Sequence, residues 1–266
     1  MDRRFRRSDS VALNYRDEGS GPPRLFIHGV GSSLGAWDGV IAALPPEGRY
    51  LRFDLRGHGA SARTAGPYAL QDFVDDAVAL LDHLGIDKTL LVGFSLGGLI
   101  AQAIALAHPE RLTGLCLVST VAGRSAEETA RVVERARTLA REGAEAHLSQ
   151  AVERWFSDAF RAAHPEVLEA RRQQSLANDP ACYAAAYRVL AENDLGAELA
   201  AVTLPTLVMT GEQDSGSSPR MARVIHAAIA GSQLRILPGL KHAVLLEAPG
   251  LVAGHIETFL RDTLQS

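Results

Sequence analysis

Six short apolar runs punctuate the chain, each bounded by turn-forming residues: 24–28, 50–54, 89–94, 112–118, 204–210 and 233–237. Runs of this length with little polar alternation are the pattern of strands buried on both faces of a parallel sheet. Between them the period changes. Over 70–84, Phe73, Ala77, Leu80, Leu81 and Leu84 share one helical face, while Asp72, Asp75, Asp76 and Asp82 fall mostly elsewhere. Residues 97–107 are apolar almost all round, as suits a helix buried at the centre of a sheet, and 218–230 and 248–263 complete the helical set. Strand alternating with helix predicts an α/β fold, a doubly wound and mostly parallel sheet. Residues 3–17 read as an antiparallel hairpin extending one edge.

One stretch breaks the alternation. Residues 123–200 contain no convincing strand and are rich in Ala, Glu and Arg at helical spacing. Ten Arg face thirteen Asp plus Glu there, so the stretch is not a basic patch. It reads as a helical insertion, a cap, in a core made of residues 1–122 and 201–266.

Composition narrows the partners. The 266 residues are 47% hydrophobic and 22% charged with a net charge of −4, a soluble globular balance that gives no electrostatic reason to expect nucleic acid. No segment approaches the roughly 18 apolar residues of a membrane span. Arg3, Arg4, Arg6 and Arg7 are not followed by the apolar stretch of a secretory signal. Two cysteines, Cys116 in an apolar strand and Cys182 in an Ala-rich helix, make no disulfide framework and suit a reducing, cytoplasmic setting. The sequence leaves oligomeric state, including a homo-oligomer, open.

Chemistry concentrates at three strand ends. Gly93-Phe94-Ser95-Leu96-Gly97 follows a predicted strand and opens an apolar helix, the strand–turn–helix context of a nucleophile elbow. Such a turn strains the serine backbone and lifts its hydroxyl to the helix N-terminus. A serine needs a base. Of nine histidines, His83, His226 and His255 lie inside helices and His108 closes one. His147 and His164, in the insertion, are not excluded by pattern; His28 and His58 lie near the carboxyl edge of the sheet. His242 stands in the loop after the last strand, at the edge where open α/β sheets bind ligands. The base needs an orienting carboxylate, and Asp214 lies just past the strand 204–210; Glu212 is the runner-up. Asp54 is a weaker candidate, because Asp54-Leu55-Arg56-Gly57-His58-Gly59 reads as a turn-stabilising Asp–Arg arrangement. The order Ser95, Asp214, His242 is that of α/β-hydrolases among serine-hydrolase folds. Backbone N–H groups of Leu96 and of Val30, in the glycine-rich loop His28-Gly29-Val30-Gly31, are the oxyanion donors this chemistry requires.

With those residues assembled, the chain resembles the α/β-hydrolase superfamily over its whole length, and more narrowly the 3-oxoadipate enol-lactone hydrolase group. The resemblance rests on Asp54-Leu55-Arg56-Gly57-His58-Gly59-Ala60-Ser61, Gly66-Pro67-Tyr68, the elbow, His108-Pro109-Glu110-Arg111-Leu112 and, in the insertion, Glu153-Arg154-Trp155-Phe156, Ala159 to Glu166, Tyr183 and Asp194-Leu195. It implies Ser95 as nucleophile with Asp214 and His242 as partners, and 123–200 as the cap. His28-Gly29 in the oxyanion loop and Ala243-Val244-Leu245 after His242 depart from the group and point to a more apolar pocket mouth. Trp155, Phe156, Phe160, Tyr187 and Val244 are candidate pocket residues, with Arg154 and Arg188 placed to meet a carboxylate.

These readings predict a hydrolase of a small carboxylic ester or lactone, 3-oxoadipate enol-lactone or a related intermediate of aromatic catabolism, with no cofactor and no metal. Alternatives are a carbon–carbon bond hydrolase of ring-cleavage dienoates, a cofactorless perhydrolase or oxidoreductase on the same scaffold, and a receptor with a vestigial triad.

Overall fold

A computed structural model describes residues 2–264. The elements run β1 (Arg3–Arg6), β2 (Ala12–Glu18), β3 (Pro23–Ile27), α1 (Asp38–Ala42), β4 (Arg49–Phe53), α2 (Leu70–His83), β5 (Thr89–Phe94), α3 (Leu96–Ala107) and β6 (Leu112–Val118). Four helices follow: α4 (Ala126–Trp155), α5 (Asp158–Ala163), α6 (Pro165–Leu176) and α7 (Pro180–Glu192). The chain then returns through β7 (Thr206–Gly211), α8 (Pro219–Ala228), β8 (Gln233–Leu237), α9 (Val244–Glu247) and α10 (Pro249–Leu264).

The eight strands form one sheet in the order β1-β2-β4-β3-β5-β6-β7-β8. Only β1–β2 and β2–β4 are antiparallel, so the expected N-terminal hairpin does extend one edge of an otherwise parallel sheet. Alternate residues of each strand point to opposite faces. Leu25, Ile27, Leu91, Leu115, Leu117 and Val208 pack with α2, α3 and α8 on one side. Phe26, Val92, Cys116, Val118 and Met209 pack with α1 and α10 on the other. Both faces are therefore covered, which is why the runs read as continuously apolar. Cys116 and Cys182 are both free thiols.

Two details depart from the sequence pattern. Asp76 is buried rather than on the polar face of α2, at 1% exposure. Its carboxylate takes a bidentate pair of bonds from Arg56 at 2.7 and 2.8 Å and another from Arg7 at 2.7 Å, which meets the requirement that a buried charge be paired. Arg56 thus pairs with α2 and not with Asp54. The carboxylate of Asp54 instead accepts backbone N–H groups of Leu34 at 2.7 Å and Ala60 at 2.9 Å and the Asn14 amide at 2.8 Å, so it does brace the turn, without the arginine.

The helical segment lies over the carboxyl edge of the sheet. It begins at a capping box, with Ser125 accepting from the Glu128 N–H at 3.2 Å and the Glu128 carboxylate accepting the Ser125 N–H at 2.7 Å. At Gly143, α4 breaks its helical path at φ 84°, a conformation glycine tolerates.

Candidate active site

The turn between β5 and α3 sets the site. Ser95 sits at φ 53° and ψ −114°, a region that costs a side-chain-bearing residue of order 1–3 kcal/mol. Its neighbours permit so tight a turn: a Cβ on Gly93 would come 2.3 Å from the Gly97 carbonyl oxygen, and one on Gly97 would come 2.1 Å from that of Ile27. The Ser95 N–H donates to Val118 at 3.0 Å, while its carbonyl accepts from Thr120 Oγ1 at 2.8 Å and from the first turn of α3. Among the described residues nothing bonds to its hydroxyl.

Across the cavity, His242 Nδ1 donates to Asp214 Oδ2 at 2.7 Å. The other oxygen of Asp214 accepts the N–H groups of Gly216 at 2.8 Å and Ser217 at 2.9 Å. A carboxylate so held can only accept, so the His242 proton resides on Nδ1 and Nε2 carries the free lone pair. Ser95, Asp214 and His242 all line one cavity of about 340 Å³ beneath the helical segment. Glu212 is not placed to replace Asp214: it is exposed and accepts from the Gly239 N–H at 3.0 Å.

Two histidines brace the loop after β3 against the loop after β4. His28 Nε2 accepts the Leu55 N–H at 3.0 Å, and its Nδ1 donates to the Gly29 carbonyl at 2.7 Å. His58 returns the arrangement, accepting the Gly31 N–H at 3.0 Å while donating from Nδ1 to the Arg56 carbonyl at 3.0 Å. The bond from His28 Nδ1 to the Gly29 carbonyl fixes the plane of the Gly29–Val30 peptide. In a trans peptide the N–H points opposite to the carbonyl, so pinning the Gly29 oxygen turns the Val30 N–H away from it. Val30 lines the cavity, and among the described residues neither its N–H nor that of Leu96 has a protein acceptor. From the helical segment, Arg171 and Asn178 donate to the Gly31 carbonyl at 2.9 and 3.1 Å.

Residues 22–249 match the family model described as the α/β-hydrolase fold. The chain belongs to the α/β-hydrolase family. Among curated members it is similar to 3-oxoadipate enol-lactonase 2 of Acinetobacter baylyi, at 30% identity over 96% of this chain and 95% of that one. Among solved members it is similar to the enol-lactonase from Burkholderia xenovorans LB400, with TM-score 0.87 at 29% identity over 95% and 98% of the two chains. A thermophilic esterase from Thermogutta terrifontis gives TM-score 0.89 at 31% identity over 98% of each.

Within this α/β-hydrolase the remaining candidates divide. Trp155, Phe156, Tyr187 and Arg154 line the cavity. Val244 does not: it is fully buried against the α10 face of the sheet, and Ala243, Leu245 and Leu246 line the cavity instead. One turn of helix, α9, replaces the expected loop and rotates Val244 inward. Arg188 is exposed on the outer side of α7, paired with Glu192 at 3.1 Å, and faces away from the cavity. Phe160 stacks on Phe156 at 5.6 Å, outside the lining. His164 is exposed beside Glu166, and His147 is buried among Trp155, Tyr183 and Tyr187. Among the described residues no helix is long and apolar enough to cross a membrane, and no cluster of His, Cys, Asp and Glu could hold a metal ion.

The histidine brace makes stability depend on acid. Burial pushes His28 down to about 4, and burial together with the neighbouring His28 pushes His58 down to about 3. Protonation would also set an Nε2–H against a backbone N–H that it now accepts. Both pKa values lie below the unfolded value of about 6.5. Stability is therefore complete above pH 6.5 and falls as the pH drops toward 4, because the unfolded chain binds protons the native one refuses. The limiting slope is about 1.4 kcal/mol per pH unit for each histidine. Urea unfolding at pH 7 and pH 5 checks this, and His58→Gln, which keeps an acceptor for Gly31, should flatten the slope. Equal stability at the two pH values would contradict it.

Proposed function

We propose that this chain is a serine hydrolase of a small carboxylic ester or lactone, with Ser95 as nucleophile, His242 as base and Asp214 as its orienting carboxylate. The observation that carries the reading is the 2.7 Å bond from His242 Nδ1 to a carboxylate already held by two backbone N–H groups. It leaves Nε2 unprotonated in the cavity that also receives the strained Ser95.

Ser95 Oγ attacks the carbonyl carbon while Nε2 accepts its proton, and Asp214 stabilises the imidazolium that results. In the substrate complex the Ser95 hydroxyl donates to His242 Nε2, and the proton moves along that bond. Negative charge on the carbonyl oxygen is met by the N–H groups of Leu96, first residue of α3, and Val30, whose peptide the His28 brace orients. His242 then returns the proton to the leaving oxygen. Water, deprotonated by the same Nε2, attacks the acyl-enzyme and frees Ser95. The relatives described as enol-lactonases and as an esterase support carbonyl–oxygen cleavage, with an enol-lactone of aromatic catabolism the leading substrate.

A substrate panel tests the reading. Enol-lactones and para-nitrophenyl esters are expected to turn over in a Ser95-dependent way, and neither oxygen nor peroxide is expected to be consumed. Turnover confined to ring-cleavage dienoates would overturn it in favour of carbon–carbon cleavage.

A further inference from the structure

The ten arginines of residues 123–200 sort by where they point. Arg131, Arg137, Arg141, Arg161, Arg172 and Arg188 each pair with a carboxylate, and none lines the cavity. The other four, Arg124, Arg135, Arg154 and Arg171, all line it, and among the described residues none forms an ion pair. Arg124 is engaged by the Leu190 and Asn193 carbonyls at 2.7 and 2.9 Å. Arg154 bonds to the Gln150 carbonyl of its own helix, and among the described residues the Arg135 guanidinium has no acceptor. Arg171 reaches the Gly31 carbonyl at 2.9 Å and the Ser175 hydroxyl, with its guanidinium 5.1 Å over the Trp155 ring.

Two carboxylates line the same cavity, and both are taken. Asp214 is bound to His242, and Glu128 to Arg220. Near the arginines the wall is mostly apolar or aromatic, with Val132, Trp155, Phe156, Tyr187 and Leu190, and the neutral Gln174 there donates to Ser33 Oγ at 2.6 Å. Positive charge is costly in such a place unless something compensates it. Burial, and then Arg135, hold the Arg154 guanidinium below its ordinary range. His147, packed behind them, is pushed down to about 4 by burial first and by Arg154, Arg135 and Arg171 after it, so it remains neutral and adds no charge.

We propose that Arg135, Arg154 and Arg171 form the recognition site for a free carboxylate carried by the substrate at a distance from its scissile carbonyl, so that the preferred substrate is an ester or lactone derived from a dicarboxylic acid. The assignment rests on the hydrolase reading above and gives the helical segment its part in it. The planar fork of arginine matches a carboxylate in two bonds. The apolar wall between the arginines and Ser95 accepts the intervening carbon chain. Arg171 also links the two ends of the site, because it grips the loop that carries Val30.

The test compares para-nitrophenyl hydrogen adipate with its methyl-capped diester, both corrected for spontaneous hydrolysis. The wild type is expected to favour the free carboxylate in kcat/KM by roughly tenfold to a hundredfold, the range of a hydrogen bond to a charged group. Arg154→Gln and Arg135→Gln should collapse that ratio, chiefly through KM, whereas Arg188→Gln should leave it at the wild-type value. Adipate alone supplies a readout without turnover: it should change Trp155 fluorescence in Ser95→Ala, and bind more weakly when Arg154→Gln is added. Ser95-dependent hydrolysis with a ratio near one, and no adipate binding, would overturn the anion site while leaving the hydrolase reading intact. Adipate binding without Ser95-dependent hydrolysis of either ester would overturn the hydrolase reading alone.

Discussion

Ser95→Ala is expected to lower kcat for any ester or lactone substrate by roughly 10⁵- to 10⁶-fold, with an unchanged circular dichroism spectrum. The hydroxyl makes no bond that the fold needs, while the backbone N–H and carbonyl of the same residue are held by Val118, Thr120 and α3 whatever the side chain. The strained φ of 53° adds a second expectation. Alanine keeps the strain and glycine relieves it, so Ser95→Gly should melt above Ser95→Ala by an amount corresponding to about 1–3 kcal/mol. Substantial turnover in Ser95→Ala, above traces of wild-type enzyme, would contradict the nucleophile assignment. Equal melting of the two variants would contradict the strain.

Asp214→Asn is expected to cost roughly 10³- to 10⁴-fold in kcat while leaving the site folded. The reason lies in how the carboxylate is held. Its Oδ1 accepts the Gly216 and Ser217 N–H groups, so an asparagine keeps its carbonyl there and presents its NH₂ to His242. That NH₂ donates to Nδ1 and forces the histidine proton onto Nε2, the atom that must accept from Ser95. The variant should therefore lose kcat with little change in KM, as for an interaction realised only in the transition state. Kinetics at pH 7 measure this, and a kcat within tenfold of wild type would mean that His242 does not act through this pair.

What could be read from sequence followed from how local each feature is. Strands buried on both faces declare themselves by composition alone, and the elbow needs only Gly93, Ser95 and Gly97 within one strand–turn–helix. Asp214 and His242 stand out as candidates because each lies just past a strand end, and parallel strands place all such ends on one edge. Features built across loops were not legible. The brace between His28 and His58 joins residues thirty apart in the chain, and nothing in either motif names its partner. Arg56 reads as a partner for Asp54, its near neighbour in the chain, but pairs with Asp76 on α2. In the helical segment the alanines and charges are spread around each helix, so the pattern did not separate the arginines facing the cavity from those facing solvent. Arg188, which sequence position favours, points outward, while Arg135 and Arg171 line the cavity with no local signal to mark them. Val244 failed for a related reason: a four-residue helix, α9, turned it into the core.

The proposed hydrolysis begins with an activated Ser95, and reaction with a fluorophosphonate tests that directly. The native protein should take up one phosphonyl group per chain, located by peptide mass spectrometry on Ser95, and His242→Gln should slow the uptake sharply because the hydroxyl then lacks its base. Unlabelled native protein, or label that persists undiminished in Ser95→Ala, would contradict the account.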